Sequence, residues 1–392
     1  MNKFVAAISS FLITILIILT FKIMTVPKSI KPKVFGGLKY DSVRSICLAP
    51  NGYLLAGMTT SSGIGYVDAY ILSLNEKGEK KWENTFGGKD DDRLFDILNN
   101  GNGYAMCGYT NSYGLGLNDF YLINTDYKGN LKFSKTFGGK NRDEAYSIAL
   151  ASEGGYVIAG LTDSFGTKPN TRLYVVKTDA DGDCVWTRTF GNNKFSMGAS
   201  VINAADRGYI VCGSTNTLGN GKQDLLLLKI DSGGNTLWVK TYGGKLDDVG
   251  NKVILTKDKG YAIIGSTVSF GHGNQDLYLI KTDAEGDCVW SKTYGGLGMD
   301  QGVTIINSDD GGYVIGATSE SFSYGSTDLL VMSVDALGNS LWSRHFGGKK
   351  DDYLGGILNA KDGGYAIAGW TLSSDADNYD AYFLKLTKNG DF

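Results

Sequence analysis

The sequence predicts an all-β protein: a seven-bladed β-propeller of four-stranded antiparallel blades, its ring closed by the N-terminal strand, preceded by one N-terminal hydrophobic helix. Three observations carry this reading. An aromatic-glycine start recurs at Phe35, Phe86, Phe137, Phe190, Tyr242, Tyr294 and Phe346, 51 to 53 residues apart, and self-similarity at a constant period near 50 marks a repeat architecture. Each period holds four short apolar runs separated by turn residues, in a chain with 55 glycines and only 4 prolines; many short strands on tight turns have that composition. The last period is incomplete, and its missing piece stands at the other end of the chain.

At the N-terminus, Phe4 to Phe21 is an uncharged run of 18 residues closed by Lys22. As a helix it would rise about 27 Å, close to the roughly 30 Å of a bilayer core. The residues after Leu19 lack a small-residue cleavage site, which favours an uncleaved signal anchor over a cleaved signal peptide. Either form exports the rest of the chain, although Lys22, Lys28, Lys31 and Lys33 bias the following segment toward the cytoplasm. The expected organisation is a signal anchor or signal peptide over 1–24, a linker over 25–30 and the propeller over 31–392. Its expected location is outside the cytoplasm, anchored to the membrane or secreted.

The copy beginning at Tyr242 shows what one repeat builds. Its runs Val249–Thr256, Tyr261–Thr267, Leu277–Thr282 and Cys288–Tyr294 read as four strands. The middle runs are continuously apolar, as in strands covered on both faces. Such a unit cannot bury both faces alone, and closing a row of units into a ring solves this. Tyr53, Tyr104, Tyr156, Tyr209, Tyr261, Tyr313 and Tyr365 each precede a second strand ending in GxT, and the expectation is that this tyrosine packs opposite that glycine between sheets. Trp82, Phe133, Trp186, Trp238, Trp290 and Trp342 recur in the fourth strand as packing wedges. The seventh unit runs from Phe346 to Phe392 without a fourth strand. Lys31 to Gly37 aligns with Trp290 to Gly296, so the N-terminal strand should complete the last blade.

The five cysteines stand at Cys47, Cys107, Cys184, Cys212 and Cys288. Repeat-equivalent positions in non-adjacent blades are too far apart for a disulfide, so all five are expected as small buried residues. Net charge is −3, which offers no basic face for nucleic acid. The chain is expected as a monomer whose partner is a carbohydrate or protein at the cell surface.

The pattern FGGxxxD, GGYxIxGxT, DxYLIKxD and GxxxW resembles a family of glycine-rich propeller repeats of exported bacterial and archaeal proteins, over residues 31–392. The resemblance implies the fold and an exported location. The DxxGxxxW part is also similar to quinone-cofactor propeller repeats. It departs from them in turn length and lacks their TG pair, so the cofactor does not carry over, and none is expected.

Chemistry has few places to sit. One aspartate follows each FGG, at Asp41, Asp92, Asp143, Asp248, Asp300 and Asp352, with Ser196 the exception. A second precedes each third strand, at Asp68, Asp119, Asp224, Asp276, Asp328 and Asp380, with Arg172 the exception. In a propeller both loops emerge on one face. The aspartates are expected to accept backbone N–H bonds in their turns, with calcium as the alternative occupant of such an acidic rim. The run Asp179–Asp183 resembles part of a calcium loop but is expected as a plain turn. Only two histidines exist, His272 and His345, so no histidine-based triad or metal cluster is available, and no P-loop or HExxH occurs.

Departures from the repeat are more informative, because scaffold needs cannot explain them. The loop from Asp163 carries Lys168, Pro169 and Arg172, and the next inter-blade loop reads FGNNKFSM from Phe190. Together they suggest a binding spot for an anionic or carbohydrate group at Lys168, Arg172, Asn192, Asn193, Lys194 and Phe195. The expected function is a non-enzymatic binding or scaffold module. An exported carbohydrate-active enzyme or quinone-dependent oxidoreductase on the same fold is the competing reading.

Overall fold

A computed structural model describes residues 32–166, 171–191, 194–374 and 378–392. The predicted N-terminal helix lies outside these residues. Among the described residues no helix is long and apolar enough to cross a membrane.

Seven four-stranded antiparallel sheets follow one another along the chain. Blades 1 to 6 span 41–86, 92–137, 143–190, 196–242, 248–294 and 300–346; blade 7 takes its first three strands from 352–386. Its fourth strand is Lys33–Phe35, with Lys33 opposite Phe383, Val34 opposite Tyr382 and Phe35 opposite Ala381. The ring is therefore closed by the N-terminal strand, as the alignment of Lys31 to Gly37 required. In blade 5 the strands are Asp248–Leu255, Tyr261–Thr267, Asp276–Thr282 and Cys288–Tyr294, each within one residue of its apolar run.

Burial follows position in the blade. Second and third strands such as Tyr261–Thr267 and Asp276–Thr282 are buried throughout, because neighbouring blades cover both their faces. Fourth strands form the outer rim and are mostly exposed at their starts. This corrects the reading of the cysteines. Cys47, Cys107 and Cys212 are buried, whereas Cys184 and Cys288 open exposed fourth strands.

The expected tyrosine–glycine pair is also corrected. Tyr209, Tyr261, Tyr313 and Tyr365 pack on the tryptophan of the preceding blade, with ring centroids 6.5, 6.3, 6.5 and 6.1 Å apart at Trp186, Trp238, Trp290 and Trp342. The glycine answers a contact inside its own sheet. A methyl group at Gly265 would lie 1.9 Å from the Val249 carbonyl oxygen, and one at Gly108 1.8 Å from that of Arg93. Each first strand carries a β-bulge there, as between Gly250 and Lys252, which pushes its backbone against the second strand. In blade 6 the GxT triplet is out of phase: Ala317 occupies the glycine position opposite Gly302, and Ser319 pairs with Asp300.

Candidate functional site

The two aspartate series meet where blades adjoin. At each of six junctions, a carboxylate opening the third strand of one blade faces a carboxylate opening the first strand of the next. Between blades 4 and 5, Asp248 Oδ2 accepts the Gly244 N–H at 2.7 Å and the Ser269 hydroxyl at 2.7 Å, while Asp224 Oδ2 accepts the Gly221 N–H at 3.0 Å. A methyl group on Gly243 would lie 2.3 Å from Asp224 Oδ1 and 2.6 Å from Asp248 Oδ2; glycine is needed there because two carboxylates converge on it. The aspartates thus hold the linker and loop through backbone N–H groups, as expected for turn aspartates. The run from Asp179 behaves likewise: Asp179 Oδ1 accepts the N–H groups of Asp181 and Asp183 at 3.0 and 2.8 Å.

The junction between blades 3 and 4 breaks this rule twice. Arg172 opens the third strand of blade 3 and Ser196 the first strand of blade 4. Two positions that hold facing carboxylates elsewhere hold here a cation and a hydroxyl. Ser196 Oγ shares hydrogen bonds with Thr215 Oγ1 at 2.7 Å and Thr217 Oγ1 at 3.3 Å. The Arg172 side chain lies against Gly166, and its Nε is buried without a hydrogen-bond partner among the described residues. A buried polar group left unmatched costs about 1–3 kcal/mol, more when charged, so this nitrogen marks a place where an acceptor is missing.

Beside it lies a cavity of about 290 Å³ with a mixed lining: Arg172, Ser196, Thr189, Thr215, Thr217 and Thr236 together with Phe190, Leu218, Leu226, Leu228 and Val239. Of the residues predicted from sequence, Arg172 lines it. Lys168, Asn192 and Asn193 lie outside the described residues. Lys194 is exposed and Phe195 half-buried, and neither forms the wall; the Phe195 N–H donates to Asn216 Oδ1 at 2.7 Å and so belongs to the loop framework.

The apolar wall was missed, although the sequence carried a signal for it. The third residue of the third strand is Tyr70, Tyr121, Tyr174, Tyr278 and Tyr382 in five blades but Leu226 in blade 4 and Leu330 in blade 6.

A second cavity, of about 470 Å³, is the central channel. The residue left over at each bulge faces it: Arg44, Phe95, Tyr146, Ala199, Asn251, Val303 and Gly355, different in every blade. Asp96 accepts the Ser45 and Ser147 hydroxyls at 2.9 and 3.0 Å and pairs with Lys252 at 3.8 Å. These contacts tie blades 1, 2, 3 and 5 together across the channel. Arg44 sits 4.1 Å over the Trp370 ring. Asp96 and Lys252 thus answer each other's charge within the channel. Among the described residues no group of three or more His, Cys, Asp or Glu side chains is placed to hold a metal ion.

No family model matches the chain. It is 26% identical over 214 residues to the regulatory protein FlaEY of Caulobacter vibrioides, a match covering 46% of this chain and 22% of FlaEY; the chain thus spans about a fifth of that relative. Among solved structures it resembles Sqt1 from Chaetomium thermophilum, with a TM-score of 0.48, 13% identity and coverage of 86% of this chain and 82% of that one. It also resembles a Dyadobacter fermentans protein of unknown function, with a TM-score of 0.48, 10% identity and coverage of 92% and 99%.

Proposed function

We propose that the protein is a ligand-binding module on a propeller scaffold that captures an anionic group at the junction of blades 3 and 4. The observation that carries this reading is Arg172, whose side chain lines a cavity and whose Nε is buried with no hydrogen-bond partner among the described residues. Two replacements coincide at one junction, and both remove negative charge. An anion beside a guanidinium gains charge-assisted hydrogen bonds, and Ser196, Thr215 and Thr217 offer hydroxyls on the same side. Lys194 adds a positive charge in the adjoining loop.

The direction of the closing strand supports presentation of this site away from an anchor. Lys33–Phe35 runs, like every fourth strand, toward the face that carries the aspartate junctions. The described chain therefore enters this strand, at Lys33, on the face opposite Arg172, an arrangement that suits an anchor over residues 4–21 with the site turned away from the membrane.

Calorimetric titration with sulfate and acetate tests the reading. The unaltered protein should bind at least one of them, with affinity falling as salt rises. Arg172→Gln combined with Lys194→Gln should lower that affinity about tenfold or more, the effect of losing one charge-assisted contact. Equal binding by the folded double variant removes the proposal.

A further inference from the structure

The other blades serve as an internal reference for what the cavity lacks. In five blades the third-strand tyrosine fills the space between sheets, and its hydroxyl is bonded within reach: Tyr70 to Glu83, and Tyr382 to the Tyr353 carbonyl at 3.2 Å. Tyr121, Tyr174 and Tyr278 bond the fourth-strand hydroxyls of Ser134, Thr187 and Ser291. A second ring from the adjoining loop covers the tyrosine in blades 2, 3 and 5, where Tyr113, Phe165 and Phe270 lie 6.0, 5.3 and 5.6 Å from it.

Blade 4 has lost all three parts. Leu226 replaces the tyrosine, Val239 replaces the hydroxyl that would bond it, and Leu218 replaces the loop ring. Blade 6 has also lost the tyrosine, at Leu330, but there His345 stands opposite Leu330 and packs against Phe322 at 5.3 Å. The ring volume is restored in blade 6 and left open in blade 4.

Resting on the anion-binding reading above, we infer that the occupant is a small aromatic carboxylate. The void lies where two aromatic side chains stand in sister blades, and the part of its lining formed by Leu218, Leu226, Leu228 and Val239 offers no polar atom to a ligand body. A sugar ring would set hydroxyls against these four side chains, which offer neither donor nor acceptor. An aromatic ring matches them, and its carboxylate reaches the Arg172 and Ser196 side. The volume of about 290 Å³ exceeds the roughly 150 Å³ of an engineered apolar cavity that accepts benzene.

The test uses benzoate, acetate and sulfate on the full chain by calorimetry. Benzoate should bind at least about tenfold more tightly than acetate, since the added ring buries apolar surface worth more than 1.4 kcal/mol. Leu226→Tyr with Val239→Ser rebuilds the arrangement of Tyr278 and Ser291. It should bring benzoate down to the level of acetate while sulfate binding persists. Leu218→Phe, which narrows the cavity from the loop, should act the same way and decides the matter if the double variant does not fold. Benzoate no tighter than acetate, or unaffected in the folded variants, overturns the aromatic class and leaves the anion site standing. Absence of binding by all three probes to the unaltered protein overturns both.

Discussion

Lys281 shows how a charge is carried inside a blade. Its side chain is almost fully buried, and its Nζ bonds the Thr282 carbonyl at 2.6 Å and Asp258 at 2.8 Å. A buried ammonium persists only when matched in this way; Lys177, Lys229 and Lys385 meet Glu153, Asp206 and Asp362 at the equivalent position. Partial burial pushes the Asp258 carboxyl up, but hydrogen bonds from Lys281, the Thr256 hydroxyl and the Gly260 N–H outweigh it and hold the group at about 2. A depressed carboxyl stabilises the fold above its unfolded value near 4 and loses that contribution as pH falls toward 2. Because Asp258 is 63% exposed, solvent reduces the contribution to roughly 0.5–1 kcal/mol. Asp258→Asn should therefore lower the urea midpoint at pH 7 and leave it unchanged at pH 2; a difference that persists at pH 2 would assign the effect to shape instead of charge. Single residues were the hardest scale to read from sequence. The repeated tyrosine and glycine were visible, but their partners were not, because Gly265 meets a bulge carbonyl whose position depends on backbone geometry. Cys184 looked like Cys212 by type, and only its place on an outer strand distinguishes them.

The strands were legible because apolar runs and turn residues alternate so regularly, and the closing strand because the seventh copy stops where a fourth strand is due. The repair at that closure was not legible. Tyr53 of blade 1 meets no tryptophan from blade 7; it meets Phe383, with ring centroids 5.0 Å apart. Phe383 belongs to the third strand, where sister blades carry Leu227 and Leu279, and a methyl group on Gly78 would lie 2.5 Å from its ring. In other blades that turn glycine rests on the tryptophan, as Gly286 does on Trp238. Phe383 thus stands in for the missing wedge, supporting a closing strand of only three residues. Phe383→Leu should cost about 1–3 kcal/mol, as removal of buried ring volume does, although leucine fills that column in three sister blades, at Leu122, Leu227 and Leu279. An unchanged urea midpoint would show that the closure needs only the leucine of its sisters.

At the scale of the whole ring, six junctions each bring two carboxylates together. The face they share was legible from the loop positions of the aspartates, but the pairing across blades was not, because it depends on how neighbouring sheets abut. Burial, ahead of any other cause, raises the carboxyls of Asp119, Asp143, Asp224, Asp276, Asp328, Asp352 and Asp380, and the facing aspartate adds to the rise at several of them. Asp328, fully buried with Oδ1 unmatched and with Asp352 and Asp351 as its charged neighbours, is pushed up to about 6. A raised carboxyl favours the folded state when protonated, so its effect runs opposite to that of Asp258: stability is gained as pH falls through about 6 and is lost as pH rises. The depressed carboxyls of Asp206, Asp258 and Asp362 contribute fully above about pH 4 and lose that contribution only below it. The two series together place the stability maximum near pH 5. In EDTA, which keeps divalent cations from neutralising the pairs, the melting temperature should rise by roughly 2–5 °C from pH 8 to pH 5, the shift expected for one or two kcal/mol in a large domain. Asp328→Asn should raise the melting temperature at pH 8 and flatten the rise, since the amide keeps the bond from the Tyr324 N–H and carries no charge against Asp352. A melting temperature that is flat or falls between pH 8 and pH 5 would mean that the junctions hold both negative charges without strain.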